Sequence, residues 1–166
     1  MEHLRALTGK RILEKLGRMP LYWYVPLTFL AMQSLTQPIR LLTEMLNISD
    51  EMVHSQNMPN NVWLKYFFVV ILGPFFETFL FQALPYYFLS MFQFARQHIW
   101  IYILVSSIGF GMAHDFSAQF IIITSIVGFF FSSTYVLRTK NQDPFLCTFL
   151  LHALNNIVSI TLAYLS

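Results

Sequence analysis

Residues 66–92 read YFFVVILGPFFETFLFQALPYYFLSMF, a long apolar run with a single formal charge, Glu77. A bilayer core of roughly 30 Å calls for about 20 apolar residues in a helix, and this run exceeds that length. It also holds Pro74 and Pro85. Proline removes a backbone donor and crowds the preceding turn, so the spacing predicts a membrane helix kinked at both places. The same composition recurs on either side. The segments Leu21 to Gln37, Ile99 to Ala113, Phe116 to Leu137 and Pro144 to Ser166 contain no Asp, Glu, Lys or Arg. The chain as a whole is 11% charged, against about a quarter for a soluble domain. The expected fold class is therefore all-α, a polytopic transmembrane helical bundle of about five spans in one domain covering residues 21–166.

The spans are expected near Leu21–Gln37, Tyr66–Phe92, His98–Ala113, Ala118–Leu137 and Pro144–Leu165. Pro38 and Arg40 mark the end of the first, and Asp143-Pro144 suits the cap and first turn of the last. Residues 47–61 form the longest polar connection. Residues 1–20 carry Arg5, Lys10, Arg11, Lys15 and Arg18 between Leu4, Leu7, Ile12, Leu13 and Leu16. That pattern reads as a basic amphipathic helix on anionic lipid, or as a frayed basic tail. With the N-terminus inside, this basic start joins Arg96, Arg138 and Lys140 on the cytoplasmic side. The net charge of +2 leaves no nucleic-acid footprint, and the single Cys147 supports neither a disulfide framework nor a cysteine metal cluster.

An ionisable group in hydrocarbon costs at least a few kcal/mol and marks a functional position by default. Glu77 sits in the middle of its span. His152 and Asn156 are four apart and share a helix face, whereas Asn155 is turned about 100° away. His114 ends the run Gly109-Phe110-Gly111-Met112-Ala113-His114, with Phe110 one turn before it and two glycines that permit close approach of a helix or a substrate backbone. Convergence of these groups would suit water activation: a carboxylate takes the proton, and a histidine orients the water or protonates the leaving group. An Asn–His pair can hold an oxyanion. Spacing alone leaves open a metal or ion pathway, a bis-histidine haem site, and simple hydrogen-bonded helix contacts.

Glu77-Thr78-Phe79-Leu80-Phe81-Gln82, Phe110-Gly111-Met112-Ala113-His114 and His152-Ala153-Leu154-Asn155-Asn156 resemble, in order, the three motifs of the CPBP (Abi) intramembrane proteases, E-E-x-x-x-R, F-x-x-x-H and H-x-x-x-N. That family includes the CAAX prenyl endopeptidases and bacteriocin-processing proteins. The resemblance covers the last four spans, a core of about residues 66–166. It implies a conical helical bundle around a hydrophilic cavity, in the cytoplasmic membrane of a bacterium, that cleaves a membrane-associated peptide or protein. Glu77 would be the base, His114 its partner, and His152 with Asn156 the oxyanion side. Glu77, His114 and His152 would also make a three-ligand Zn²⁺ set, although the same residues work without metal.

Two positions depart from the motif. Thr78 replaces the second glutamate and Gln82 the arginine, which removes a buried ion pair as a unit and leaves a Thr–Gln hydrogen bond to support the helix. A prenylated substrate is not carried over, because the arginine that could hold a carboxylate is gone. A catalytically silent scaffold or immunity-like membrane protein is the alternative from another class.

Overall fold

A computed structural model describes residues 11–45, 61–114 and 117–165. The described chain is helical throughout. A short helix α1 over residues 11–17 leads into α2 (Leu21–Met45). The long α3 (Val62–Ser90) follows, then the short α4 (Gln93–Gln97), α5 (Ile99–Met112), α6 (Ala118–Arg138) and α7 (Pro144–Leu165). Three helices are long and apolar enough to cross a membrane: Val62–Ser90, Ala118–Asn141 and Pro144–Leu162. The apolar α5 is shorter, at 14 residues. Helix α2 has the length but is interrupted by Gln33, Ser34, Thr36, Gln37 and Arg40, and it is not among the three. The remainder of the basic N-terminal segment and most of the polar connection at 47–61 lie outside the described residues.

Lipid-facing side chains remain apolar because nothing hydrophilic surrounds them. Phe75, Phe76, Phe79, Leu80, Leu104, Val105 and Ile122 are all exposed on the bundle's outside. The interior is built by Tyr24, Val25 and Met32 of α2, Phe110 of α5, Val127 and Phe131 of α6, and Cys147 and Leu151 of α7. Helices α5 and α6 cross closely because two glycines remove side chains at the crossing. A Cβ on Gly111 would collide with Ser125 Oγ and come within 2.8 Å of the Ile121 carbonyl oxygen. On Gly128 it would lie 3.1 Å from Phe110 Cβ. Gly109 has ordinary space, so of the glycine pair before His114 only Gly111 serves helix approach.

One expectation about proline is corrected. Helix α2 does not stop at Pro38 but runs through it to Met45. Pro38 and Pro26 are both exposed, and each removes one helical hydrogen-bond donor. In α3 the backbone answers each proline with a π-helical stretch, Phe67–Leu72 before Pro74 and Phe79–Ala83 before Pro85. There the amide of Gly73 bonds Phe68 O, and that of Leu84 bonds Phe79 O, five residues back. Pro74 cannot continue the pattern, which frees the Val69 carbonyl. Asn156 Nδ2 donates to it at 2.9 Å. Near Pro85 the Phe81 carbonyl accepts from Ser106 Oγ, and the Gln82 carbonyl from Tyr102 OH at 3.1 Å. Side chains of other helices thus replace the donors that the prolines lack.

One end of the bundle is closed by Arg138. Its guanidinium pairs with both carboxylate oxygens of Asp143 and donates to the carbonyls of Gly17 and Met19. Its carbon lies 5.3 Å from the Tyr24 ring centroid. Gly17 is required at this contact, since a Cβ there would sit 2.8 Å from Leu137 O. The Asp143 carboxylate therefore holds Arg138, while its backbone oxygen accepts the Cys147 amide at the start of α7. Residues 17–19 and 138–143 consequently occupy the same end of the molecule.

Candidate active site

Glu77 lies on the short α-helical stretch Gly73–Thr78 between the two π segments of α3. π segments commonly mark functional sites in helices, because they turn the following side chains off the regular helical face. Two imidazoles converge on the carboxylate. His152 Nε2 is 3.3 Å and His114 Nε2 3.7 Å from the same oxygen, Glu77 Oε2. The group thus joins three helices, α3, α5 and α7. His152 is buried, whereas Glu77 and His114 keep 30% and 23% of their side-chain surface, which opens the carboxylate to a reactant from one side.

Phe110 organises the imidazoles. Its ring centroid is 4.6 Å from that of His114 and 5.5 Å from that of His152, and Phe131 lies 4.5 Å from His152. Phe110 is itself held edge-on by Phe81 and Phe131. Its carbonyl fixes His114 as well: His114 Nδ1 bonds Phe110 O at 2.8 Å, and a carbonyl only accepts, so Nδ1 carries a proton. His114 Nε2 therefore turns either a lone pair or a second proton toward Glu77. At 3.7 Å the Nε2–Oε2 separation is longer than a direct hydrogen bond. A carboxylate beside an imidazole can take a proton from water and pass it to a leaving group.

Asn156 stands apart from this cluster. It follows His152 by one turn, but its amide donates to Val69 O in the π segment and accepts from Asn155 Nδ2 at 3.4 Å. Asn155 in turn accepts from Gln33 Nε2 of α2 at 3.2 Å. Sequence reasoning set Asn155 aside as turned away, and it did not single out Gln33. The signal was present: an amide inside an apolar helix must find a partner, and both residues carry one.

The expected Thr78–Gln82 hydrogen bond is not formed. Both side chains are fully buried, and neither Thr78 Oγ1 nor Gln82 Oε1 and Nε2 has a hydrogen-bond partner within the protein. The π segment beginning at Phe79 changes the turn between them, so residues four apart no longer stack as in a regular helix. An orphaned buried polar group costs roughly 1–3 kcal/mol. The apolar double variant Thr78→Val/Gln82→Leu is thus expected to be more stable than the parent, by about 1–3 kcal/mol. Denaturant titration in detergent micelles reads this, and a loss of stability of that size would show that the polar atoms have a structural partner.

Among the described residues no group of three His, Cys, Asp or Glu side chains could hold a metal ion. The two imidazole nitrogens approach the carboxylate oxygen itself.

A family model described as Rce1-like, type II CAAX prenyl endopeptidase, matches residues 59–158. It spans well over half of the chain and takes in Glu77, His114, His152 and Asn156, while α1 and α2 lie before it. No curated protein and no solved structure matches the chain.

Proposed function

Since the chain belongs to the Rce1-like type II CAAX prenyl endopeptidases, the family whose three motifs its helices carry, we propose that it is an intramembrane endopeptidase that hydrolyses a peptide bond at Glu77. The observation that carries this reading is the convergence of two imidazoles from separate helices on one carboxylate oxygen, at 3.3 and 3.7 Å. Glu77 accepts a proton from water on its open side. The resulting hydroxide adds to the scissile carbonyl, and the tetrahedral oxyanion forms. His114, its Nδ1–H held by Phe110 O, shares the proton taken by Glu77 and delivers it to the leaving amine as the C–N bond breaks. His152 faces Glu77 from the buried side and fixes the carboxylate's position. Asn156 shapes the site through the backbone of α3, a more indirect role than direct contact with the oxyanion.

The substrate on this reading is a membrane-associated peptide or protein. Gln82 stands where the motif has the arginine that could grip a terminal carboxylate, which favours cleavage governed by the apolar part of the substrate. The protein sits in the cytoplasmic membrane of a bacterium with its N-terminus inside. Clustering of the basic residues Arg11, Lys15, Arg18 and Lys140 toward one end of the bundle supports that orientation.

The test is cleavage of an internally quenched farnesylated CAAX peptide, and of its unprenylated counterpart, by purified protein in lipid nanodiscs. Cleavage is expected, and His114→Ala should reduce kcat by about 10²-fold or more. His152→Ala should act in the same direction. Full activity in both histidine variants would overturn the assignment. Absence of cleavage by the parent protein across peptides of varied sequence would favour a non-catalytic membrane scaffold.

A further inference from the structure

We infer that Gln33, on a helix outside the family-matched segment, is a positioning residue for the proposed active site, acting through a head-to-tail chain of side-chain amides that ends on the backbone leading into Glu77. The inference rests on the proposed hydrolase reading. Gln37 Nε2 donates to Gln33 Oε1 at 3.0 Å, which orients the Gln33 amide. Gln33 Nε2 then donates to Asn155 Oδ1 at 3.2 Å, Asn155 Nδ2 to Asn156 Oδ1 at 3.4 Å, and Asn156 Nδ2 to Val69 O at 2.9 Å. Every amide donates in the same direction, so each bond polarises the next.

The end point gives the chain its significance. Val69 O is the carbonyl left without a helical donor by Pro74, and it lies in the π segment immediately before the Gly73–Thr78 stretch that carries Glu77. Asn156 lies one turn beyond His152 on α7. The amide chain therefore ties α2 to the two elements whose relative placement sets the 3.3 Å Glu77–His152 contact. Without Gln33, Asn155 is free to rotate, and Asn156 loses the donor that fixes which face of its amide meets Val69. A displacement well below 1 Å between reacting groups is enough to slow chemistry markedly, while substrate binding on the apolar surface is left alone.

Two readouts test this. In protein labelled with ¹⁵N-asparagine and held in nanodiscs, Gln33→Leu is expected to speed hydrogen exchange of the Asn156 side-chain amide at least about fivefold. The Asn141 amide, at the Arg138 end of the bundle, should not change. On the quenched farnesylated peptide, Gln33→Leu should lower kcat about tenfold with KM unchanged. Gln33→Glu, which keeps length and acceptor but removes the donor, should match it. The swap Gln33→Asn/Asn155→Gln moves one methylene across the contact and should recover most of kcat. Unchanged Asn156 exchange overturns the inference, whether or not the peptide is cleaved. So does faster exchange with a parental kcat. If Glu77→Gln remains fully active, the hydrolase reading fails, whereas a dead Glu77→Gln beside a parental Gln33→Leu removes only the role of Gln33.

Discussion

Glu77→Gln is expected to reduce kcat for peptide hydrolysis by about 10²–10⁴-fold while leaving the helical fold in place. Glutamine keeps the volume and one oxygen of the carboxyl group, so the packing of Gly73–Thr78 between its π segments is retained. What it removes is the capacity to accept a proton. His114 Nδ1 donates to Phe110 O at 2.8 Å, and its Nε2, the other ring nitrogen, then lies beside a neutral amide that accepts no proton from it or from water. His152 is buried and presents only Nε2 to the same oxygen. The measurement is kcat on the quenched peptide, with circular dichroism and thermal unfolding in detergent as the control on folding. Activity within a few-fold of the parent in a folded Gln variant would remove Glu77 from the chemistry.

Arg138→Leu is expected to give the largest loss of stability, about 3–5 kcal/mol. Arg138 is 3% exposed, and one guanidinium serves Asp143, Gly17 O and Met19 O together. Truncation strands a partly buried carboxylate and the Met19 carbonyl at the point where α1, α2, α6 and α7 meet, while Gly17 O keeps the Asn141 amide. Arg138→Lys should recover little, since an ammonium cannot span the carboxylate and both carbonyls with its donors. Arg138→Leu/Asp143→Leu should recover part of the loss, because it removes the stranded charge but not the unpaired Met19 carbonyl. Unfolding in mixed detergent–SDS titrations measures each difference. A loss below about 1 kcal/mol in the single variant would mean that water serves these groups as well as the arginine does.

Sequence reasoning reached the three side chains that meet, Glu77, His114 and His152, and also Phe110, because each is a polar or aromatic exception within an apolar helix at a fixed motif offset. It did not reach the amide chain. Gln33 and Asn155 are separated by more than a hundred residues, and no local pattern says which rotation of α2 brings one to the other. Nor did it reach the π segments of α3, because the freed carbonyls near its prolines are served by Asn156, Ser106 and Tyr102 from other helices. Thr78 and Gln82 illustrate the same limit: four residues apart they suit a hydrogen bond in a regular helix, and the π segment separates them.

The sequence by itself determined that this protein is a helical membrane protein and which ionisable groups lie among its apolar runs. Hydropathy, charge and proline act within one helix, where the backbone satisfies its own hydrogen bonds regardless of neighbours. Only the tertiary structure decided what those groups do to one another. It set His114 and His152 on a single oxygen of Glu77, directed Asn156 to Val69, and left Thr78 and Gln82 without partners. The physical reason is that a buried polar atom's partner lies on another helix. The rotation and crossing of that helix are set by packing, as where Gly111 and Gly128 let α5 and α6 approach, and not by spacing along the chain.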